Sequence, residues 1–285
     1  NSTTTTTTIA GEDQGCKLWL QDGVKPRFSI KTSGNTMRTV WGGTIQKNQW
    51  THIAGTYSNA TGLLKIYING KLISTYSGGV TNSTIATTST STNTFDIGRA
   101  SRTISNKEYF RGAIDEVRVF DTTLTDDQIQ RMVYQEIQNN SGNVMGSVIQ
   151  KDVIDIDSNS SIQWNNLIAY YPMSDIVSSR TYDYSNNDRH MSLYNITSVQ
   201  EQTAPMPYVS SADGDWTTEG TWLHGDVWDI ENQTDNRDWS IVRINSLKKK
   251  VQWEIEPFLC AVYIYIVWFS TQKYHIPSPL IVFYY

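Results

Sequence analysis

Short segments in which apolar and polar residues alternate dominate the first half of the chain. The alternation is clearest in the segments 16–20, 26–31, 36–41, 50–57, 63–68 and 116–120, which glycine, asparagine and serine residues separate. Successive side chains of a β-strand point to opposite faces, so a period of two predicts strands with one face in a core. Many short strands with turn residues between them favour an antiparallel β-sandwich.

The strongest turn signal is the pair Asn69-Gly70, which separates the apolar segments 63–68 and 71–75. Asn-Gly is the preferred two-residue connection of a β-hairpin, because both central residues of such a turn adopt a positive φ. The sequence therefore predicts a hairpin at this position.

The segment 110–137 combines a strand, a turn and a helix. Thr125 and Gln128 have the spacing of a capping box, and Asp126 and Asp127 follow where the helix dipole favours negative charge. Apolar residues continue at helical spacing, at Ile129, Met132, Val133 and Ile137. We therefore expect a short amphipathic helix that packs against the sheet and closes a domain.

Asp115 is the most unusual residue of this segment. The alternation puts it on one face with Ala113, Val117 and Val119, and a buried carboxylate is costly unless it is paired, hydrogen-bonded or bound to a metal. Glu116 points to the opposite face. These adjacent acids therefore cannot form the catalytic pair of a retaining glycosidase, whose carboxyl groups lie about 5 Å apart on one face.

Three motifs in this half resemble the laminin-G-like, concanavalin A-like jelly-roll family. They are WTHIAGTYSNATGLLKIYING at 50–70, FDIG at 95–98, and GAIDEVRVF at 112–120 with the LTDDQI helix that follows it. The resemblance implies an all-β, antiparallel jelly roll of two sheets with a short C-terminal helix over residues 15–137. Nothing before Cys16 supplies the first strands of that fold, so we expect an N-terminally truncated module from a longer protein.

The same resemblance implies a structural Ca²⁺ near the rim of the sandwich, which many family members carry. Calcium takes six to eight oxygen ligands, and Asp115 is the first candidate to supply one. The alternative is a carboxylate that accepts hydrogen bonds from turn amides, and both interpretations stay open. The corresponding candidates in the second unit of the chain are Asp183 and Asn187.

The second half divides into a linker and a partial second β module. The segment 138–166 is polar with scattered β-branched residues, which predicts a linker with room for a strand or two. Its acidic run of Asp152, Asp155 and Asp157 lacks the glycine and glutamate of a calcium loop, so we expect these side chains to be solvated. The unit 167–247 opens like another laminin-G-like module, with AYYP followed by matching residues at Asp183, Ser185, Asn187, His190 and Leu193. Asn186 stands where the family has a glycine, and asparagine tolerates the left-handed backbone region.

Tryptophan residues characterise the rest of this unit. Trp216, Trp222, Trp228 and Trp239 lie among aspartate, glycine and threonine, and the segment resembles a tryptophan-rich module that follows laminin-G-like domains in large bacterial surface proteins. Trp216, Trp222 and Trp228 are candidates to stack on sugar rings, as are Trp41 and Tyr76. For any single tryptophan, core filling is the favoured alternative.

The tail 248–285 differs in character from the rest. After three lysines, the segment 258–269 is apolar without a period, and its 12 residues are too few to span a bilayer, which takes about 20. We therefore expect no membrane-spanning segment. Lysine runs can be encoded by adenine tracts, where a reading frame can slip. The sequence from about Val251 onward is therefore interpreted either as frameshifted or as a genuine pair of buried strands.

Composition and charge narrow the function further. The net charge is −5, and Lys248 to Lys250 form the one basic cluster, which argues against nucleic acid as a partner. Cys16 and Cys260 are far apart, so two unpaired thiols are favoured over a disulfide. The low charged fraction of 18%, with much serine, threonine and asparagine, is typical of a secreted β-protein.

No catalytic motif is present, and we expect no enzymatic activity. There is no Gly-x-Ser-x-Gly elbow, no His-Glu-x-x-His helix and no phosphate loop, and His52 is expected to be packed rather than catalytic. The predicted function is a non-enzymatic carbohydrate-binding or cell-adhesion module of a secreted or cell-surface bacterial protein, with a glycan or a surface protein as partner. The alternatives are an accessory domain of an extracellular polysaccharide-degrading enzyme and a structural spacer.

Overall fold

Antiparallel sheets form the described part of the chain. A computed structural model describes residues 5–78, 81–86, 94–100, 108–133, 135–147, 150–174 and 176–196, with the short stretches 208–209, 212–215, 242–243 and 251–252. The first layer is a five-stranded sheet in the order β4-β3-β2-β1-β8. Its strands are β1 Thr6–Gly11, β2 Cys16–Gln21, β3 Lys25–Lys31, β4 Met37–Trp41 and β8 Asp96–Ile97.

The second layer faces the first and consists of two smaller sheets. One is β5-β6-β7, with β5 at Ile53–Tyr57, β6 at Leu64–Ile68 and β7 at Lys71–Tyr76. The other pairs β9 (Val117–Phe120) with β12 (Leu167–Tyr171). A first core lies between the layers and contains Phe28, Ile30, Val40, Leu64 and Ile66. The predicted antiparallel β-sandwich is therefore confirmed.

The predicted Asn69-Gly70 hairpin is also confirmed. It joins β6 to β7, and both turn residues have a positive φ, 50° for Asn69 and 79° for Gly70. A Cβ on Gly70 would lie 3.0 Å from Val133 and 3.2 Å from the backbone of Gln130. The glycine therefore serves both the turn and the close approach of the helix that packs on it.

The helix α1 covers Asp126–Arg131, and the predicted capping box is present. The amide of Gln128 donates to Thr125 Oγ1, and the amide of Thr125 donates to Gln128 Oε1. All four residues of the predicted apolar stripe are buried, but Ile137 lies in the strand β10 (Ile137–Asn140) and not in the helix. Just beyond the end of the helix, Arg118 binds the carbonyl oxygens of Met132 and Gln135.

The predicted linker over 138–166 contains two added strands and packs on the sandwich. β10 (Ile137–Asn140) and β11 (Asn143–Gly146) form a hairpin, and a 3₁₀ turn follows at Trp164–Asn166. Val144, Val153, Ile162 and Trp164 are buried with residues of α1 and β12 in a second core. Widely spaced apolar residues in a polar segment were sufficient to cover the outer face of the second layer.

The predicted boundaries at 15 and 167 also differ from the structure. β1 begins at Thr6 and pairs with both β2 and β8. β12 does not open a separate module. It pairs with β9 of the first module, and Leu167, Ala169, Tyr170 and Tyr171 are all buried. A strand that is apolar on both faces is stable only when both faces are covered. Next to β9, β12 has a strand to pair with and is covered by neighbouring side chains.

The remaining described elements are short. β13 (Arg180–Thr181) pairs with β14 (Met191–Ser192), β15 (Tyr208–Val209) with β17 (Val242–Arg243), and β16 (Gly214–Asp215) with β18 (Val251–Gln252). The predictions for Trp216, Trp222, Trp228 and Cys260, and for the tail beyond Gln252, lie outside the described residues. Where the chain is described, no helix has the length and apolarity to cross a bilayer.

The shared core makes a prediction about stability. Leu167 is fully buried beside Ile137 and Trp164, so Leu167→Ala should lower the free energy of unfolding by about 2–5 kcal/mol, as a cavity in a well-packed core does. Urea unfolding followed by tryptophan fluorescence measures this. Asn165→Ala is the matched control, because Asn165 is exposed on the same turn. An unchanged midpoint for Leu167→Ala would show that β12 is not part of this core.

Candidate functional site

A row of large side chains crosses the outer face of the five-stranded sheet. Trp19 on β2 lies directly opposite Arg27 on β3, and Arg27 lies directly opposite Trp41 on β4. We call these three residues the aromatic row. Directly opposite residues on one face of an antiparallel sheet have Cβ atoms about 5 Å apart, so large side chains at these positions pack on each other.

The guanidinium of Arg27 lies between the two indoles. Its Cζ is 5.3 Å from the ring centroid of Trp19 and 5.0 Å from that of Trp41. Lys17 also lies near Trp19, with Nζ 5.6 Å from the ring centroid. These distances are those of cation–π contacts, which hold the indoles in one orientation on the sheet surface.

A row of hydroxyl groups runs beside the aromatic row and supports it. Trp19 Nε1 donates to Ser29 Oγ at 2.9 Å, and Ser29 Oγ is 2.8 Å from Thr39 Oγ1. Ser29 is buried, because the surrounding large side chains cover it. The indole of Trp19 is therefore fixed by a hydrogen bond as well as by two cations.

At the end of the surface near β1, the carboxylate of Glu108 binds neighbouring side chains. Glu108 Oε2 accepts hydrogen bonds from Thr8 Oγ1 at 2.7 Å and from Lys17 Nζ at 3.1 Å, and Lys17 also contacts Asp13 Oδ1 at 2.6 Å. Thr8 is fully buried at this point. The network fixes Lys17 against Trp19 and leaves the end of the surface at Trp41 open.

Trp41 combines high exposure with a fixed orientation. Its exposed fraction is 55%, whereas most large aromatic side chains of the described chain are buried or half-buried. Arg27 Nε is buried and makes no hydrogen bond within the described residues. The surface therefore offers a flat apolar face next to guanidinium donors and hydroxyl groups, which is the combination that binds a ligand with one apolar face and a polar edge.

Asp115 does not occupy the buried strand position that the alternation predicts. The strand begins only at Val117, and Glu116 has a φ of 54°, so the period of two is broken between Asp115 and β9. Asp115 is half-buried, and its Oδ1 accepts a hydrogen bond from the amide of Glu116 at 3.1 Å. This contact is the turn-amide interaction that was the alternative to metal binding.

Glu116 and not Asp115 is the acid with the more unusual environment. Its carboxylate pairs with Arg118 and accepts a hydrogen bond from Tyr170 Oη at 3.1 Å. Burial raises the pKa of Glu116, although the charge of Arg118 opposes this. The guanidinium also stacks on the ring of Tyr170, with 5.6 Å between Cζ and the ring centroid. Glu116 thus joins β9 to β12.

His52 is packed, as expected. Burial, assisted by the charge of Arg118, lowers the pKa of His52 to about 3, so the imidazole is neutral at physiological pH. Its Nδ1 is buried without a hydrogen bond among the described residues.

Asp183 and Asn187 lie close together and organise a loop. Asp183 Oδ1 accepts from the amides of Tyr170 and Ser185 at 2.9 Å each, and Oδ2 accepts from the amide of Arg189 at 3.1 Å. Asn187 Nδ2 donates to the carbonyl oxygen of Leu167 at 3.0 Å. Both side chains therefore fasten the loop to β12.

Other family positions of the loop contribute to the same structure. Trp164 Nε1 donates to the carbonyl oxygen of Ser185, and His190 Nδ1 accepts from the amide of Asp183. Asn186 has a φ of 73°, which confirms the left-handed conformation predicted for the residue that replaces glycine. The motif is thus a structural one that positions the loop.

The described residues do not fit a calcium cage at either predicted place. The oxygens of Asp183 point at three N–H donors, and Asp115 lies in a different part of the fold. Within the described ranges, no three His, Cys, Asp or Glu side chains are arranged to hold a metal ion. Calcium remains an untested prediction, and no role of the surface depends on it.

A polar cleft at the start of α1 is a second concave feature. It has a volume of about 490 Å³ and is lined by hydroxyl groups, Lys65 and four aspartates. Three of its four carboxylates have partners: Asp126 accepts from Lys65 Nζ and Tyr67 Oη, Asp127 accepts from the amide of Ile156, and Asp155 accepts from Ser158. These contacts serve the helix and the adjacent turn, so the aromatic row is the stronger candidate.

The sequence predicted part of this surface. Trp41 was a candidate and is exposed, whereas Tyr76 packs against the first core. Trp19 and Arg27 were missed. The alternation of their strands indicated that both point outward, but the contact depends on the cross-strand register, which no local pattern contains.

A match to a protein-family model agrees with this architecture. Residues 1–130 match a laminin G model described as the concanavalin A-like lectin/glucanases superfamily. None of the curated proteins matches the sequence. One similar solved structure is that of a candidate carbohydrate binding protein from Bacteroides ovatus, with 19% identity and a TM-score of 0.42. Another is an S-layer domain-containing protein from Clostridium thermocellum, with 25% identity and a TM-score of 0.24.

These two matches are partial. The first covers 68% of this chain and 51% of the Bacteroides protein, and the second covers 46% of this chain and 64% of the Clostridium segment. The chain thus spans about half the length of the first of these structures.

The carboxylate of Asp183 predicts that the stability of the fold depends on pH. Burial alone would raise the pKa of Asp183, but hydrogen bonds from Tyr170, Ser185 and Arg189 lower it below its ordinary 3.8. A lowered pKa stabilises the fold above pH 3.8, and this contribution is lost as the pH falls through the lowered value. Asp183→Asn should therefore lower the melting temperature at pH 7, and the difference from the wild type should shrink below about pH 4.

Thermal unfolding between pH 2.5 and pH 7 measures this difference. Asp188→Asn is the matched control, because the Asp188 side chain is 94% exposed in the same loop. A difference that stays constant over the whole range would contradict the assigned role of the Asp183 charge.

Proposed function

Since residues 1–130 belong to the concanavalin A-like lectin/glucanase superfamily, we propose that the chain is a non-enzymatic carbohydrate-binding module that holds its glycan on the aromatic row. The observation that best supports this proposal is the exposed indole of Trp41 with the guanidinium of Arg27 beside it. A pyranose ring has an apolar face of C–H groups and a rim of hydroxyl groups. The indole matches the face, and the guanidinium matches the rim.

The rigidity of the surface supports this proposal. Both indoles contact Arg27, and Trp19 is also bound to Ser29, so little side-chain freedom remains to be lost when a ligand binds. Binding is stronger when the site is already ordered, because each immobilised side chain costs about 0.5–1.5 kcal/mol. Arginine and tryptophan are also the residues that most often dominate the binding energy of an interface.

The absence of catalysis is part of the proposal. Glu116 is bound to Arg118 and Tyr170, and Asp115 contacts the adjacent amide, so neither acid is arranged as a glycosidase pair. A secreted or cell-surface location follows from the proposed ligand. Adhesion to a glycan or a surface protein is the finer form of the function that we expect. An accessory domain of a polysaccharide-degrading enzyme would use the same surface, and a spacer would use none.

Binding should depend on Trp41. We expect Trp41→Ala to weaken glycan binding at least tenfold, because it removes the apolar platform; a tenfold loss corresponds to about 1.4 kcal/mol. A glycan array identifies the ligand, and isothermal titration calorimetry measures the affinity of both proteins. Met37→Ala is the matched control, since Met37 is 50% exposed on the same strand outside the row.

The substitution Arg27→Lys distinguishes the contribution of the positive charge to glycan binding from that of the planar guanidinium. Lysine keeps the positive charge but has no planar fork, so binding should fall while the melting temperature changes little. An array without any hit for the wild type would favour the spacer. Equal affinities of the wild type and Trp41→Ala for an identified glycan would place the site elsewhere.

A further inference from the structure

The outer face of the five-stranded sheet carries positive charges on its strands and no negative ones. None of the strands β1 to β4 contains an aspartate or a glutamate. In the observed register, Lys17 on β2 and Lys25, Arg27 and Lys31 on β3 occupy the alternate positions that point to this face. The whole chain has a net charge of −5, so the charge of this face is opposite in sign to that of the molecule.

Carboxylates outside the strands compensate two of these four cations. Lys17 Nζ contacts Asp13 and Glu108, and Lys25 Nζ lies 3.2 Å from Asp22 Oδ2 in the turn between β2 and β3. The pair at Lys25 is exposed to solvent, where an ion pair is screened and contributes little. The positive charge that is left without a carboxylate therefore lies on β3.

Arg27 and Lys31 have no carboxylate partner among the described residues. Lys31 Nζ contacts the amide oxygen of Gln14, which is neutral. The guanidinium of Arg27 has the two indoles as neighbours, and it makes no hydrogen bond or ion pair within the described part of the chain. Arg27 is thus a cation that the indoles hold in place at the centre of the aromatic row and that still lacks a counter-charge there.

The donors that Arg27 offers to a ligand are its two terminal nitrogens. Nε is the guanidinium nitrogen that is buried without a hydrogen bond, so a ligand approaches the other end of the group. The terminal N–H groups of a guanidinium form a planar fork that fits two oxygens of one anionic group. Bonds from this fork to an anion are shorter and stronger than bonds to a neutral hydroxyl group.

Given a glycan on the aromatic row, on which this step rests, we propose that the glycan is acidic. A carboxylate or sulfate group of the glycan binds the terminal N–H groups of Arg27, while a sugar ring of the same glycan stacks on the exposed indole of Trp41. A uronic acid and a sulfate ester both supply the required pair of oxygens beside an apolar ring face. The anion provides the counter-charge that Arg27 lacks on the sheet.

A purely structural role of Arg27 makes a different prediction. If the guanidinium only separates and orients the two indoles, the surface binds sugar rings without regard to their charge. An acidic glycan and its neutral form would then bind with equal affinity. The ratio of these two affinities therefore distinguishes the two roles.

The test measures this ratio for the whole chain with two matched pairs of polysaccharides. Polygalacturonate and its methyl ester have the same rings and differ in the carboxylate charge, and dextran sulfate and dextran differ in the sulfate group. Biolayer interferometry at 0.15 M salt measures the four affinities, because charges more than about 8 Å apart are largely screened under this condition. At least one acidic member should bind at least tenfold more tightly than its neutral partner, and the pair that shows this identifies the anion.

Two substitutions in the row should act differently. Arg27→Gln should lower the affinity for the acidic member at least tenfold and bring the ratio close to one, because it removes the charge and the fork. Trp41→Ala should weaken the acidic and the neutral member by the same factor, because it removes the stacking platform and leaves the charge. Arg27→Lys should keep a smaller preference for the acidic member, since the charge remains without the planar fork.

Lys25→Gln is the matched control. It removes one positive charge from the same face of the same strand, but Lys25 already has Asp22 as a partner. Its affinity for the acidic member should stay within about twofold of that of the wild type. The melting temperature of each variant identifies one that does not fold.

Three outcomes would overturn the acidic specificity. They are equal affinities of the wild type for both members of each pair, an unchanged ratio in folded Arg27→Gln, and an equal loss of binding in Lys25→Gln. If neutral and acidic members bind equally and Trp41→Ala abolishes both, the glycan surface stands and the specificity alone fails. If none of the four polysaccharides binds and the glycan array shows no hit, both proposals fail.

Discussion

The burial of both faces of β6 is the constraint on which the rest of the structure depends. Leu64 and Ile66 are fully buried against the five-stranded sheet, and Tyr67 is fully buried against α1 and the hairpin β10-β11. A strand with large apolar side chains on both faces needs a layer on each side. The sandwich supplies one layer, and the segment that follows the sandwich supplies the other. The chain is therefore built of three layers around two cores.

The third layer explains why the polar segment after the helix is ordered. Tyr67 Oη donates to Asp126 at the start of α1, so the helix begins over the strand that it covers. Val144, Val153 and Ile162 then continue the cover, and Leu167 brings the chain back to β9. The loop motif around Asp183 fastens this return through three backbone amides. Residues that resemble a ligand set thus serve the connection between layers.

The same layering determines what is exposed. With one face of the five-stranded sheet in the first core, the other face carries Trp19, Arg27 and Trp41, and no element in the described part of the chain covers Trp41. In the second layer, the pairing of β12 with β9 leaves the side of β9 toward β5 without a strand. The exposed sheet face is the surface that the proposed function uses, through its side chains.

The sequence by itself determined the strands β2 to β9, the Asn69-Gly70 hairpin and the Thr125 capping box, because each depends on residues within a few positions of one another. It also indicated the family and the outward position of Trp41. The tertiary structure alone decided that Trp19, Arg27 and Trp41 meet, that Asp115 lies before the strand, and that β12 joins β9. The first outcome depends on the cross-strand register, the second on the positive φ of Glu116, and the third on which apolar faces would otherwise stay exposed. Each of these is decided by contacts between residues far apart in the sequence, so no local pattern in the chain contains it.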